Sequence, residues 1–232
     1  MKGWVSREAA MSKRSATRAA REKMVATQLV GRGIRDPGVL DAMRQVQREE
    51  FVGPDSEPYA YDDRPLPIGS GQTISQPYIV AFMIEALQLK GGEKVLEIGG
   101  GSGYAAAVLA RIASAVFTIE RIPELAGQAR RNLAATAASN VTIRCGDGTQ
   151  GWPEEAPFDA ILVSAGAPDI PAALKSQMKI GGRMVIPVGD EPTSQDLLRV
   201  VRTSERDYAT EYLTGVRFVP LIGSEGWTPG TA

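Results

Sequence analysis

The stretch KVLEIGGGSGY, residues 94–104, decides the fold. A short apolar run ends at Glu97 and Ile98, four of the next five residues are glycine, and an alanine-rich segment follows. This order is typical of a strand, a tight turn and the start of a helix. Glycine permits positive φ there and brings backbone N–H groups close to a ligand. Doubly wound α/β sheets bind nucleotide-like cofactors at such a turn.

Two interpretations of this turn compete. Gly101, Gly103 and Ala106 match the loose dinucleotide pattern G-x-G-x-x-G/A. Glu97, however, ends the strand where dinucleotide folds usually keep an apolar residue. A carboxylate there can accept hydrogen bonds from the amides of the turn and orient a cationic group, which suits S-adenosylmethionine because this cofactor carries an ammonium and a sulfonium but no phosphate. The alternative is that Glu97 only braces the turn.

Strands and helices alternate on both sides of this stretch. The patterns predict strands at Lys94–Ile98, Ala115–Glu120, 141–144, 160–164 and 183–187, and helices at 104–112, 123–138 and 171–177. Such alternation implies a mostly parallel sheet covered on both faces. Two further strands, 196–202 and 212–218, can pair antiparallel at one edge. We therefore expect a doubly wound, mostly parallel, seven-stranded Rossmann-like α/β fold with N-terminal helices.

The first 89 residues precede this sheet. Residues 15–30 have a helical pattern, Asp36 and Pro37 are an N-cap and first turn for a second helix, a long loop covers 53–71, and a third helix covers 76–89. We expect four parts: a flexible extension over 1–23, helices and an active-site loop over 24–89, the cofactor domain over 90–222, and a C-terminal tail over 223–232. The basic extension has the composition of a transit peptide or of a frayed tail before an alternative start at Met11.

Composition restricts the function. The chain is 43% apolar and 23% charged with a net charge of −1, which fits a soluble globular protein and argues against binding to nucleic acid or an anionic membrane. The single cysteine, Cys145, fits a reducing compartment. We expect a cytoplasmic monomer. Histidine is absent, which removes His-dependent catalysis and the commonest metal ligand, and we expect no metal.

Acidic residues end three successive predicted strands. Glu97 ends the first, and Glu120 ends the second about 20 residues after the turn, where an acid can bind ribose hydroxyls. Asp147 follows the third, between two glycines, where it can accept from an adenine amino group. Glu120 alone could equally be a solvated acid at a strand end. Together the three acids favour S-adenosylmethionine as the cofactor.

Several segments resemble the protein-L-isoaspartate (D-aspartate) O-methyltransferase family over residues 24–221. They are REEFV (48–52), LPIGSGQTISQPY (66–78), the glycine turn, ERIPELA (120–126), GDGTQGW (146–152) and VRFVPL (216–221). The resemblance implies methyl transfer from S-adenosyl-L-methionine to the free α-carboxylate of L-isoaspartyl and D-aspartyl residues, with S-adenosyl-L-homocysteine as product. The ester then closes to a succinimide, which starts repair of damaged proteins or peptides.

The resemblance also implies the site residues. It assigns catalysis to Ser75 of the TIS segment, whose hydroxyl would aim the carboxylate or, alternatively, cap the helix that follows. The implied cofactor contacts are Gln72, Thr73, Ile74, Ser75, Tyr78, Glu97, Gly99, Gly101, Ser102, Gly103, Glu120, Arg121, Asp147 and Gly148. The implied substrate contacts are Ile68, Thr73, Ser75, Val219, Pro220 and Leu221, the last three as an extended backbone that pairs with a peptide or as a plain edge strand.

The chemistry suits a chain without histidine. A carboxylate with a pKa near 4 is already ionised at neutral pH, so its methylation needs no general base. One departure concerns the turn, which in the family usually reads Gly-Thr-Gly-Ser-Gly; Gly100 replaces the threonine and is expected to loosen the turn. Two other hypotheses stay open: a tailoring methyltransferase for aspartate in one dedicated peptide, and a non-catalytic cofactor-binding protein.

Overall fold

The computed structural model describes residues 14–136, 138–228 and 230. The sheet consists of β3 (Lys94–Ile98), β4 (Ala115–Glu120), β5 (Val141–Cys145), β6 (Phe158–Val163), β7 (Met178–Glu191), β8 (Ser194–Arg202) and β9 (Tyr208–Val216). The helices are α1 (residues 14–24), α2 (Pro37–Gln45), α3 (Pro77–Ala86), α4 (Tyr104–Leu109), α5 (Pro123–Ala134) and α6 (Ala172–Ser176). A hairpin of β1 (Leu66–Gly69) and β2 (Gln72–Ile74) forms a separate two-stranded sheet. Among these residues no helix has the length and apolarity to cross a membrane.

The seven-stranded sheet confirms the expected fold class. Its strand order is β5-β4-β3-β6-β7-β8-β9, with β3 to β7 parallel and β8 and β9 antiparallel at one edge. The chain runs outward from β3 to β5 on one side and returns to β6 on the other. The strand order therefore reverses between β3 and β6, and open α/β sheets bind ligands at the carboxyl ends of the strands at this point.

Strand β3 is buried on both faces, which explains its unbroken apolar run. Val95 packs in a large cluster with α3, α4 and the N-terminal helices. Its neighbour Leu96 packs in a second cluster on the opposite face, with Ile161 and Leu174. This double burial holds the turn after β3 in a fixed position, so the site has a rigid base.

The N-terminal helices pack on one face of the sheet. Helix α2 begins as predicted, because the Asp36 side chain accepts a hydrogen bond from the Val39 amide at 3.0 Å. The expected extension over 1–23 needs correction, since residues 14–23 belong to α1 and Arg21 is buried. The helix forms because its apolar side contacts the core through Met24. The rest of that extension, residues 1–13, lies outside the described residues.

The hairpin corrects the expected loop over 53–71. Leu66 pairs with Ile74 and Pro67 with Thr73 in antiparallel register. The connecting turn uses positive φ at Ser70 (50°) and Gly71 (70°). The hairpin lies against the glycine turn, because a Cβ at Gly101 would stand 3.1 Å from Ile68 Cδ1. It therefore holds the segment that contains Ser75 over the carboxyl edge of the sheet.

The expected C-terminal tail is packed on the fold through residue 228. Ser224 donates its amide and hydroxyl to the Asp147 carboxylate, at 2.8 and 2.9 Å. The Trp227 indole donates to the carbonyl of Gly166 at 3.0 Å. Residues 223–228 thus close one side of the carboxyl edge, next to the loop after β5.

Candidate functional site

Three cavities meet at the carboxyl edge of the sheet. The inner cavity is lined by Ile68, Thr73, Ile74, Ser75, Val80, Met83, Glu97, Gly99, Gly100, Gly101, Ser102, Tyr104, Ala105, Leu162 and Ser164. The outer cavity is lined by Ile68, Gln72, Thr73, Ile98, Gly99, Gly101, Ile119, Glu120, Arg121, Ile122, Gly148, Ser164, Ala165, Val219, Pro220, Leu221 and Ile222. An open groove is lined by Arg32, Pro65, Thr73, Ser75, Gln76, Tyr78, Ile79, Ser164, Pro192, Thr193 and residues 214–220. Thr73 and Ser164 line all three.

Glu97 carries a buried carboxylate on the floor of the inner cavity. Glu97 is only 1% exposed. Its Oε2 accepts a hydrogen bond from the Thr118 hydroxyl at 2.6 Å, whereas its buried Oε1 has no partner among the described residues. Burial raises the pKa of Glu97 to about 7, against the opposing Thr118 hydrogen bond and with a further rise from the nearby Glu120. An unpartnered carboxylate oxygen facing a cavity is a site for a cationic ligand group.

The amides of the glycine turn are occupied by acceptors of the protein itself. Gly99 and Gly100 donate to the carbonyl of Ile119 at 2.9 and 3.2 Å, and Gly103 donates to the carbonyl of Gly100 at 2.8 Å. Gly101 donates to Glu120 Oε2 at 2.8 Å. A pyrophosphate needs such amides free, so this geometry disfavours the dinucleotide interpretation. The carboxylate that accepts from the turn is Glu120 and not Glu97, which corrects the expectation for Glu97.

Glu120 also faces the outer cavity. Its second oxygen accepts from the amide of Ile122 at 2.8 Å. An ionised carboxylate has about four acceptor positions, and two are used here. Capacity remains for the two hydroxyls of a ribose in the cavity that Glu120, Arg121 and Gly148 line together.

Asp147 lies behind this cavity and does not line it. One oxygen accepts from the amide and hydroxyl of Thr149, and the other accepts from the amide and hydroxyl of Ser224. Burial opposes ionisation, but these bonds, led by the Ser224 amide, hold the pKa of Asp147 below its ordinary value. All four acceptor positions are filled, so the structure gives Asp147 the role of attaching the C-terminal segment. The expected adenine contact stays a prediction that this geometry does not favour.

Ser75 lies where the inner cavity opens into the groove. It lines both, and its hydroxyl has no hydrogen-bond partner among the described residues. The alternative role as a helix cap is wrong, since the N-cap of α3 is Gln76 and no side chain caps that helix. The helix starts one residue later than that role requires, at Pro77. The Ser75 hydroxyl is therefore available to a ligand.

The remaining predicted residues divide between the cavities. Tyr78 lines the groove and neither the inner nor the outer cavity, and the Arg32 guanidinium lies 3.5 Å above the centre of its ring. Gly103 lines none of the three spaces and begins α4 with a φ of 92°. Val219 and Pro220 line the groove and the outer cavity, whereas Leu221 lines only the outer cavity. Their roles as ligand contacts stay predictions.

The 218–221 segment is fixed along one edge. Val219 accepts from the amide of Gly166 at 2.8 Å, and Leu221 donates to the carbonyl of Gly166 at 2.7 Å. The buried Gln195 accepts from the Phe218 amide at 2.8 Å and donates to the carbonyl of Pro192 at 2.7 Å. Gln195 thus joins the two walls of the groove.

Three of these contributing residues were missed by the sequence analysis. Thr118 has one visible signal, a single polar residue between Phe117 and Ile119 in a buried strand. Ser164 follows β6 directly, so it occupies a strand end beside the glycine turn. Gln195 has no local signal, because its partners are distant in sequence.

Comparisons with known proteins agree with this geometry. The model of the protein-L-isoaspartate(D-aspartate) O-methyltransferase family matches residues 19–226. Protein-L-isoaspartate O-methyltransferase 1 of Rhodopseudomonas palustris (strain HaA2) is 63% identical, over 90% of this chain and 85% of that protein. A homologue from Pelobacter propionicus, protein-L-isoaspartate O-methyltransferase 2, is 59% identical over 89% of this chain and 92% of its own.

Solved structures give the same result. One protein-L-isoaspartate O-methyltransferase has a TM-score of 0.79 and 32% identity, covering 89% of this chain and 67% of its own. Another, from Plasmodium falciparum in complex with S-adenosyl-L-homocysteine, has a TM-score of 0.77 and 27% identity, covering 87% of this chain and 98% of its own.

Gly100 and Thr118 should be energetically coupled. A Cβ at Gly100 would lie 2.5 Å from Thr118 Oγ1, so Gly100→Ala displaces the hydroxyl that binds Glu97 and should cost about 1–3 kcal/mol of unfolding free energy. Thr118→Ala removes the clash, so the double variant should cost less than the sum of the single variants. Denaturant unfolding of the four proteins measures this coupling. Gly146→Ala is the control, since its Cβ would meet nothing closer than 3.9 Å; additive Gly100 and Thr118 effects would contradict the coupling.

Glu97→Gln should stabilise the ligand-free protein at alkaline pH. The folded state keeps the Glu97 proton up to about pH 7, whereas the unfolded state loses it near 4.5, so this residue lowers stability as pH rises through that interval. Glutamine avoids the charge, and the variant should gain about 3 kcal/mol at pH 8 and nothing near pH 4. Unfolding across pH checks this, with Glu205→Gln on the exposed β8–β9 turn as control. Parallel profiles for Glu97→Gln and the wild type would reject a buried, proton-binding Glu97.

Proposed function

The chain belongs to the protein-L-isoaspartate(D-aspartate) O-methyltransferase family, and on that premise we propose that it methylates the free α-carboxylate of L-isoaspartyl and D-aspartyl residues, using S-adenosyl-L-methionine. The observation that carries the proposal is the Ser75 hydroxyl at the junction of the inner cavity and the groove, which has no hydrogen-bond partner in the described part of the chain. This arrangement suits a reaction in which a cofactor and a peptide meet end to end.

The residues of the two cavities fit the cofactor. S-adenosylmethionine supplies an electrophilic methyl group on a sulfonium. The free Oε1 of Glu97 suits its ammonium, and the remaining acceptor positions of Glu120 suit its ribose hydroxyls. The absence of a side chain at Gly101 lets Ile68 lie close to the turn, because a Cβ there would stand 3.1 Å from Ile68 Cδ1.

The acceptor needs positioning and not activation. Its carboxylate is ionised at neutral pH, so no residue has to remove a proton. In-line displacement requires the oxygen to lie behind the methyl group with water excluded, and accurate placement accounts for much of the rate. The Ser75 hydroxyl is suited to donate a hydrogen bond that holds the carboxylate in this orientation. A backbone amide nitrogen of the substrate then attacks the ester carbonyl, methanol leaves and a succinimide forms; its hydrolysis returns part of the damaged residue to normal aspartate.

The carbonyls of Phe218 and Pro220 suit a peptide backbone. In the extended 218–221 segment, the bonds to Gly166 occupy one edge, and no hydrogen bond to these two carbonyls occurs among the described residues. Pro220 has no amide hydrogen and the Phe218 amide is held by Gln195, so the open edge offers acceptors only. A peptide that binds there would donate its own amides, which permits many sequences around the damaged residue.

We also propose that the enzyme acts as a cytoplasmic monomer. Ser75, Glu97 and Glu120, which are predicted to hold the substrate and the cofactor, line these spaces within a single chain, so one chain carries the groups that the reaction requires. The single cysteine supports a reducing compartment.

Methyl transfer should distinguish damaged from normal peptides. With methyl-labelled cofactor, an isoaspartyl peptide should gain a base-labile label, and its aspartyl twin of identical sequence should not. Equal labelling of both would reject the proposal. Cofactor binding without labelling of any isoaspartyl peptide would favour the dedicated tailoring enzyme or the non-catalytic alternative.

Ser75→Ala should lower turnover on the isoaspartyl peptide about 10–1000-fold, because one positioned donor is lost at the reacting oxygen. Cofactor affinity, measured by calorimetry, should change much less. Ser139→Ala is a matched control, since Ser139 is exposed and precedes β5 at the opposite edge of the sheet. Unchanged turnover in Ser75→Ala would remove Ser75 from the mechanism.

A further inference from the structure

We propose that Arg217 makes the groove selective for isoaspartyl peptides that carry an acidic side chain close to the damaged residue. The inference rests on the proposed function and adds a preference for charge in the substrate. It concerns the open groove and not the two cavities that suit the cofactor.

The groove carries positive charge in a chain whose net charge is −1. Of the residues that the structure describes, the charged ones that line the groove are Arg32 and Arg217, and no Asp, Glu or Lys is among them. The other lining side chains are neutral, so no lining carboxylate cancels this charge. A peptide in the groove therefore lies in a locally positive field, which favours anionic substrates.

Arg32 is already committed to other groups. Its Nη1 lies 2.8 Å from Asp63 Oδ2, and its guanidinium stacks 3.5 Å above the centre of the Tyr78 ring. Asp63 neutralises this charge, and the stacking fixes its position. Arg32 thus joins the N-terminal helices to the groove wall. Because Asp63 balances its charge, Arg32 contributes little to the attraction of an anionic peptide.

Arg217 is free by comparison. The residue is exposed, and its guanidinium forms no ion pair or hydrogen bond with any residue that the structure describes. Its backbone is nevertheless well placed, because the following Phe218 amide is held by the buried Gln195 and Val219 by Gly166. The fixed backbone removes one part of the ordering cost of binding, and the planar guanidinium can form two hydrogen bonds to a carboxylate for the rotamer entropy that the side chain loses.

The anion that Arg217 binds is a flanking side chain and not the reacting carboxylate. The reacting oxygen must reach Ser75, which lines the inner cavity as well as the groove. Arg217 lines the groove alone and neither cavity. When a peptide is held along the carbonyls of Phe218 and Pro220, the residues that flank the damaged one lie near Arg217. A glutamate or aspartate among them can pair with the guanidinium.

The test uses isoaspartyl peptides that carry Glu or Gln at each of the two positions before and after the damaged residue. For each pair the readout is the ratio of kcat/KM for Glu over Gln at low ionic strength. The wild type should favour Glu at one or more positions by about two- to fivefold, the range for an exposed ion pair. Arg217→Gln should bring that ratio to about one, Arg217→Lys should keep most of it, and added salt should reduce it. Arg206→Gln, on the exposed turn between β8 and β9 at the far end of those strands, should leave it unchanged.

Two results would overturn the proposal: a wild type with no preference for Glu at any position, or a preference that survives Arg217→Gln. Neither result affects the proposed activity, which the neutral Gln peptides test in the same assay. Failure to methylate any of the isoaspartyl peptides, neutral ones included, would instead reject the proposed function.

Discussion

The burial of an ionisable carboxylate at the reversal point of the sheet is the constraint on which this site depends. Glu97 is buried and lines a cavity together with residues of the glycine turn and the hairpin, and Thr118 of β4 binds one of its two oxygens, whereas the other has no partner among the described residues. Such a group costs stability in the empty protein, because the charged form loses water without full compensation. A cationic ligand bound beside Glu97 would supply the missing compensation. Binding would thus recover the free energy that the buried carboxylate costs the empty protein. The affinity for a ligand would therefore depend on the positive charge that it places beside Glu97.

The structure explains why glycine replaces the usual threonine at position 100. The sequence analysis expected this glycine to loosen the turn. Instead, Thr118 Oγ1 occupies the space that a side chain at position 100 would need, and that oxygen binds Glu97. The turn stays fixed, since its amides are bonded to Ile119 and Glu120. The neighbouring strand therefore supplies a hydroxyl next to the turn, and the two positions have to be considered together.

Much of the fold could be predicted from the sequence, and the failures have physical causes. The bounds of β3 and β4 were predicted correctly, because continuous apolar runs with sharp ends leave little freedom. The hairpin was missed, since Pro67 and the Gly69–Gly71 turn have the composition of a loop and its pairing depends on a surface formed elsewhere. The local sequence pattern showed that carboxylates lie at the ends of three strands. It did not show which of these carboxylates line a cavity. That depends on Ser224, which lies 77 residues after Asp147 and occupies its oxygen.

The bond between Asp147 and Ser224 has a further consequence. It fastens residues 223–228 to the loop whose Gly148 lines the outer cavity, and Ile222, directly before these residues, lines that cavity too. A molecule that contacts both walls opposes their separation. By thermodynamic reciprocity, attachment of residues 223–228 increases the affinity for that molecule. A molecule bound in the outer cavity should therefore slow proteolytic cleavage within residues 222–228, and the degree of protection would report how much of the protein is occupied.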